Sequence, residues 1–436
     1  MLPEGECLMW RRLRSFDRSV QLLMLNQLTI NVGFYMLMPY LAGHLSTGLG
    51  MAAWTVGLVL GVRNLSQQGL FLLGGTLADR LGYKPVIIVG CLLRTAGFAL
   101  LAFVDTLPAL LAASAMTGFA GALFNPAVRA YLAHGAGERR LEAFALFNVF
   151  YQAGILAGPL IGLALVSVDF RLVCLVAATV FALLTVLQLF ALPGCQTGSP
   201  PTGGVLRDWR SVVANRLFML FSLAMAGSYV LSFQMYLALP LALGSSGAVS
   251  LLFVVSAVVA IAGQMRITDW ARRRWTAPQA ITRGLTLMAA AFLPMALHAA
   301  AWPHSATLRL GAVLACTVML TVATTLTYPF EMDTVVALSG GRLVATHYGL
   351  YNTVAGVGIT LGNLLTGALL DTTPRALTWL VLSALGLACA LAVERLNRRE
   401  QLAELTPQTA QRPTLSRSPS AGSVQAGDTE HNASAR

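Results

Sequence analysis

The sequence predicts an all-α membrane protein: twelve transmembrane helices in two six-helix, pseudo-symmetric bundles. Three observations predict it. Of 436 residues, 56% are hydrophobic and 11% charged, against about 25% charged in an ordinary soluble domain, and the mean hydropathy is +0.69. Apolar runs of about 20 residues, each long enough to cross roughly 30 Å of hydrocarbon as a helix, recur between short polar breaks. One stretch rich in Pro, Gly and Ser interrupts that rhythm near mid-chain.

The spans fall near residues 19–41, 54–77, 84–104, 107–132, 142–166 and 170–192, then 215–241, 248–268, 279–300, 307–330, 345–370 and 375–395. The first run, Val20 to Leu41, is longer than the apolar core of a secretory signal, so it is read as a retained helix. Residues 193–214 read as a flexible cytoplasmic linker between an N-terminal bundle, 1–192, and a C-terminal bundle, 215–396. Beyond them, residues 397–436 are polar, rich in Pro and Ser and without apolar periodicity, the composition of a disordered tail. An internal repeat supports the two halves: aligning Asn148 with Asn352 puts Gly158 on Gly362 and Arg129 opposite Asp333. Parallel repeats of this kind are an architecture of secondary transporters.

Basic residues resist translocation, and here they gather in alternate loops: Arg11 to Arg18, Arg80 and Lys84, Arg139 and Arg140, Arg207 and Arg210, Arg272 to Arg274, Arg342, Arg398 and Arg399. Only Arg171, Arg309 and Arg375 fall in the intervening ones. Both termini are therefore expected in the cytoplasm. The net charge of +11 is spread over loops rather than gathered into a patch with interleaved aromatics, which argues against nucleic acid. Six cysteines lack a CxxC pair or metal-ligand spacing. No metal, cofactor or catalytic triad is expected, and no phosphate-binding loop points to ATP.

The most specific segment is GTLADRLGYKP, Gly75 to Pro85, in the turn between spans two and three. Gly75 permits close helix approach, Gly82 permits a left-handed turn, and Pro85 suits a first helical turn. Asp79, at the membrane surface, requires a basic partner or a helix N-terminus. A second segment is GILAGPLIG in span five, where Gly154, Gly158 and Gly162 form a small-residue face and Pro159 breaks the backbone ladder. Within the spans stand Arg63, Gln67 and Gln68, Arg94, Asn26 and Asn31. A mid-membrane arginine costs at least about 2.5 kcal/mol on insertion scales, so Arg63, Gln67 and Arg94 are read as the wall of a polar cavity, or as interhelical bonding.

The Gly75–Pro85 segment resembles the loop motif of the major facilitator superfamily. The longer stretch from Met51 to Phe98 is similar to twelve-helix bacterial drug:proton antiporters of the multidrug resistance exporter type. That resemblance implies a gate built on Gly75, Asp79, Arg80, Gly82 and Lys84, with Arg129 as the expected partner of Asp79. A basic residue usual in the family is replaced here by Tyr83. Gly154 to Gly162 resembles the superfamily's antiporter motif, which implies export. The resemblance also implies a cavity lined by spans one, four, seven and ten, with Asn31, Tyr35, Asn125, Gln234 and Tyr328 as contacts. The family's acidic residue in span one is Asn26 here. No carboxylate is expected at mid-membrane, with Glu331 and Asp333 placed near the inner surface; Glu331, Asp333 and His347 are the candidates for proton coupling. The expectation is a monomeric exporter of small amphipathic molecules in a bacterial inner membrane, coupled to protons. An exporter of one endogenous metabolite such as a siderophore, a nutrient importer and a non-transporting receptor or scaffold stay open.

Overall fold

The computed structural model describes residues 11–194, 204–243, 246–372 and 374–398, and among these it is helical, without a strand. The N-terminal half holds α1 (Arg18–Gly43), α2 (Ala53–Gly69), α3 (Phe71–Leu81), α4 (Tyr83–Leu101), α5 (Leu107–Ala136), α6 (Arg140–Val166) and α7 (Phe170–Ala191). A short α8 (Val205–Ala214) leads to the C-terminal half: α9 (Arg216–Phe233), α10 (Ala238–Leu243), α11 (Ser246–Arg274), α12 (Ala277–Ala291), α13 (Leu293–Ala301), α14 (Ala306–Ser339), α15 (Val344–Thr372) and α16 (Arg375–Arg398).

Ten stretches among the described residues are long and apolar enough to cross a membrane; one of them runs through both α5 and α6, and the broken pair α2–α3 lies outside that set. The predicted second, seventh and ninth spans are thus each two pieces. The second breaks at Leu70, whose φ of −103° and ψ of 4° leave the helical region, just after Gly69, a poor helix former. The ninth breaks at Phe292, immediately before Pro294 in the first turn of α13, where a proline is accommodated. Polar side chains start other helices. Asp169 accepts from the Arg171 N–H at 3.0 Å ahead of α7, and Asn215 accepts from the Phe218 N–H at 3.1 Å ahead of α9, each meeting a donor the helix cannot satisfy itself.

The expected flexible linker, residues 193–214, is helical over its described C-terminal part. The Pro and Gly cluster ends at Gly204, and the sequence VLRDWRSVVA that follows is α8, with Asp208 and Val212 buried. Residues 195–203, and all of the expected tail after residue 398, lie outside the described residues.

Within the first half α1 packs on α6 and α7, and α5 on α2 and α4; within the second, α12 packs on α14 and α16, and α9 on α15 and α16. Between the halves, α3 lies on α15 and α6 on α11 and α14. This cross-seam packing is lopsided. Every residue from 344 to 352 of α15 and from 143 to 150 of α6 is buried. Further along α15, Val357, Leu361 and Leu364 are 55%, 62% and 68% exposed. On α2, a methyl added at Gly57 or Gly61 meets nothing within 4 Å. The halves press together at the end that carries Arg80, Arg140, Arg272 and Arg342, here the basic end, and part toward the opposite end.

Candidate functional site

The seam at the basic end is built around Asp79. Gly82, with φ of 90°, reverses the chain between α3 and α4, a conformation that costs a side chain dearly, and so brings α3 to its end two residues beyond Asp79. Across the seam, Gly340, Gly341 and Leu343 all hold positive φ and turn the chain into α15. The first amides of α15 therefore face Asp79: its Oδ1 accepts from the Ala345 N–H at 3.1 Å, and its Oδ2 from the Thr346 N–H and hydroxyl, both at 2.7 Å. A carboxylate at a helix N-terminus meets both unpaired donors and the positive end of the dipole. Asp79 lies beyond the apolar span 54–77, and burial pushes its carboxyl up to about 6 against the pull of the Thr346 and Ala345 donors. It is a carboxylate at neutral pH. Close approach is possible because position 75 is glycine; a Cβ there would lie 2.1 Å from the Ala345 carbonyl oxygen.

Side chains on either flank extend the fastening. Arg80 pairs with Asp208 of α8 at 2.5 Å, and the Trp209 indole N–H donates to Thr76 Oγ1 at 2.8 Å, so α8 is strapped to the same turn. Lys84 donates to the Leu189 carbonyl at the end of α7. Arg12 reaches across to Asp269 at 2.6 Å and Arg140 to Asp333 at 2.9 Å, while Asn148 donates to Gln264 at 2.6 Å. Asp269 belongs to TDWARRRW, the second-half counterpart of the Gly75–Pro85 turn.

Two expectations are corrected here. Arg129 is not the ion-pair partner of Asp79; its Nη1 donates to Asn352 Oδ1 of α15 at 3.0 Å, deeper in the seam, and among the described residues no ion pair joins it to Asp79. Glu331 is not at the inner surface. It is 4% exposed, enclosed between α9, α14 and α15, and its Oε1 accepts from the hydroxyls of Tyr229 at 2.7 Å and Tyr351 at 2.5 Å. Arg129 and Tyr328 lie within electrostatic reach of it. Of the other coupling candidates, Asp333 is held by Arg140, and His347 bonds the Leu343 carbonyl through Nδ1 at 2.8 Å with its ring edge on Phe218.

The expected cavity residues separate into two groups. Arg63 donates to Asn64 Oδ1 and Gln67 Oε1, and its guanidinium lies 4.6 Å from the centre of the Phe34 ring. Arg94, 5% exposed, lies 5.1 Å from the same ring and 5.4 Å from that of Phe181. Tyr35 is within electrostatic reach of Arg63 and of Tyr236 in the other half, so this group faces the space between the halves. Asn31 and Gln234 do not line it. Asn31 is wedged between α1 and α6, where its Nδ2 donates to the Tyr151 carbonyl and Gly154 abuts its Cβ. Gln234 has no exposed surface and donates to the Val230 carbonyl and to Asn363, inside the second half. Asn125 is half-buried, donating to the Gly121 carbonyl of its own helix. Gly154, Gly158 and Gly162 fasten α6 to α1 within one half, and the Tyr40 hydroxyl donates to the Pro159 carbonyl at 2.6 Å.

The profile of the Major Facilitator Superfamily matches residues 23–362, a range that holds both turns and the whole seam except its Arg12 arm. The chain belongs to that superfamily. An uncharacterized MFS-type transporter of Mycobacterium tuberculosis is 52% identical over 395 residues, covering 88% of this chain and 94% of the relative. The multidrug resistance protein MdtH of Yersinia enterocolitica is 34% identical over 283 residues, 63% of this chain and 70% of the relative. Among solved structures, the human organic anion transporter MFSD10 (TETRAN) has a TM-score of 0.65 at 18% identity, covering 86% of this chain and 99% of that one; the likeness establishes the fold.

As a facilitator, the chain is a multi-pass membrane transporter and not an enzyme. Sequence reading of this facilitator found Asp79 and its need for a basic partner or a helix N-terminus, but not which helix supplies the donors, because Ala345 and Thr346 act chiefly through backbone N–H groups that nearly every residue owns. It also missed Tyr229 and Tyr351. Both lie in apolar runs, and only the fold brings them onto one carboxyl.

Proposed function

We propose that this facilitator exports small amphipathic organic molecules by alternating access, from a cytoplasm that faces its basic end. The reading rests on the lopsided seam: Asp79, Gly75 and two ion pairs fasten the halves at the basic end, while Gly57 and Gly61 on α2 look into open space. With basic loops retained inside, this is the outward-facing state with its inner gate latched. The moving bodies are residues 1–192 and 215–396, working as a single chain in a bacterial inner membrane. Kinship with the multidrug resistance protein, and the resemblance of Gly154 to Gly162 to an antiporter segment, support the outward direction.

Protons are the coupling ion, and Glu331 takes them up. Asp333 and His347 already have partners, whereas Glu331 is a buried carboxyl held only by two phenols, with Arg129 of the opposite half nearby. Parting the seam withdraws Arg129 from α15 and so changes the field at Glu331, which ties proton occupancy to the open side.

Everted membrane vesicles and a panel of amphipathic drugs test both claims. Wild type should accumulate cargo in response to a proton gradient and release protons on cargo addition. Glu331→Gln should retain cargo exchange and lose gradient-driven accumulation. Uptake indifferent to the gradient would sink the coupling claim, and no uptake of any cargo would sink export. Export of one endogenous metabolite, a siderophore among the possibilities, is the second reading, favoured by Arg63 and Arg94; a biosynthetic gene cluster beside the gene would distinguish it.

A further inference from the structure

Arg63 and Arg94 are two cations gathered about one aromatic ring inside the first half, and neither is in an ion pair among the described residues. Three partly buried arginines elsewhere in the described residues have carboxylate partners: Arg80 has Asp208, Arg140 has Asp333 and Arg12 has Asp269. Arg94 makes one long hydrogen bond, Nη2 to the Thr117 carbonyl at 3.4 Å, and its Nε has no partner; the Nε of Arg63 has none either. Glycine at position 121 of α5 makes room for them, since a Cβ there would come within 2.7 Å of Arg94 Nη2 and 3.1 Å of Gln67. Like charges repel strongly where the dielectric is low, and each arginine in a span already carries an insertion cost. Bonding between helices would be served by a neutral amide at either position. The surplus positive charge is unexplained by the fold.

The wall opposite is aromatic. Tyr236, 51% exposed, stands with Phe233 and Phe253 at ring distances of 5.5 and 5.4 Å, and Tyr35 is within electrostatic reach of both Tyr236 and Arg63. We infer that the space between the halves beside Tyr35 binds an amphipathic organic anion, with a carboxylate, sulfonate or phosphate group against Arg63 and Arg94 and an apolar body against the Tyr236–Phe253 face. Guanidinium N–H groups suit such oxyanions in fork geometry, and the Phe34 ring orients the guanidinium groups through its face. The inference names the cargo class for the exporter reading and rests on that reading for its physiological meaning, though not for binding itself.

The test is equilibrium binding to the purified full chain, followed by fluorescence anisotropy, of three probes matched in size: pyrenebutyrate, its neutral amide and pyrenebutylamine. The anion should bind best, by about tenfold over the amide, as loss of a charge-assisted hydrogen bond implies. Arg63→Gln and Arg94→Gln should abolish that preference while leaving amide binding intact, and Arg63→Lys should restore part of it. If a variant fails to fold, the ranking of the three probes in wild type still decides. Equal affinities, preference for the amine, or an anion preference that survives both Gln variants would overturn the inference. Anion binding with these properties in a protein that moves no cargo in vesicles would support the site and overturn export.

Discussion

Asp79 is a buried charge whose partners lie across the seam, so its environment depends on whether the basic end is shut. Removing the acceptor in Asp79→Ala leaves the Ala345 and Thr346 N–H groups buried and unmet, at about 1–3 kcal/mol each. The ratio of closed to open should then fall about tenfold or more. Maleimide labelling of a cysteine at Gln68, which contacts Thr353 and Gly356 in the shut seam, measures that fall from the basic side; labelling no faster than in wild type would contradict it. The carboxyl also titrates. Burial in the shut seam holds it at about 6 against an ordinary 3.8, so a closed state binds the proton more tightly than an open one that exposes this carboxyl. Closure is therefore favoured as pH falls from about 6 toward 4 and is insensitive to pH above that window. The difference in labelling between wild type and Asp79→Asn should carry this slope, because the amide cannot titrate. At this scale the sequence disclosed that Asp79 needed a basic partner or a helix N-terminus; Arg129 was the wrong choice for the first, and the amides of Ala345 and Thr346 supply the second. Asp79 and Glu331 announce themselves by charge, whereas backbone amides and tyrosines in apolar runs do not.

A short helix, α3, meeting the first turn of the long α15 over a glycine makes the seam. A methyl at position 75 collides with the Ala345 carbonyl, and one at position 57 meets nothing. Gly75→Ala should therefore open the basic end in the labelling measurement, while Gly57→Ala should match wild type and gain slightly in helix propensity. Equal effects of the two would contradict the close approach of α3 and α15. Element boundaries were legible wherever long apolar runs ended in polar residues, as at Asp169 before α7 and Asn215 before α9. The break at Leu70 was not, since the apolar residues resume straight after Gln67, Gln68 and Gly69 and the whole stretch 54–77 reads as one span. Nor was α8 legible, because the Pro and Gly residues before Gly204 dominated the composition of the whole 193–214 stretch. That helix matters, for Arg80–Asp208 and Trp209–Thr76 couple it to the gate turn. Asp208→Ala should loosen α8 from α3, read as faster hydrogen exchange across residues 205–214, and unchanged exchange would count against the strap.

For the whole molecule, the two-half plan was readable from hydropathy, the repeat relating Asn148 to Asn352 and the basic loops. Which end is shut was not readable, since it depends on contacts between residues hundreds of positions apart, such as Arg12 with Asp269 and Asp79 with Thr346. Alternating access makes a single demand on the two ends: opening one must close the other. Spin labels at Glu138 and Arg342, exposed on either half at the basic end, and at Val168 and Trp302, exposed at the opposite end, report both by electron–electron distance measurement in a background free of native cysteines. Wild type should give a short basic-end distance and a long opposite-end distance, and Asp79→Ala should lengthen the first and shorten the second together. Lengthening at the basic end with no change at the other, or no change at either, would contradict a rocking exporter latched by Asp79.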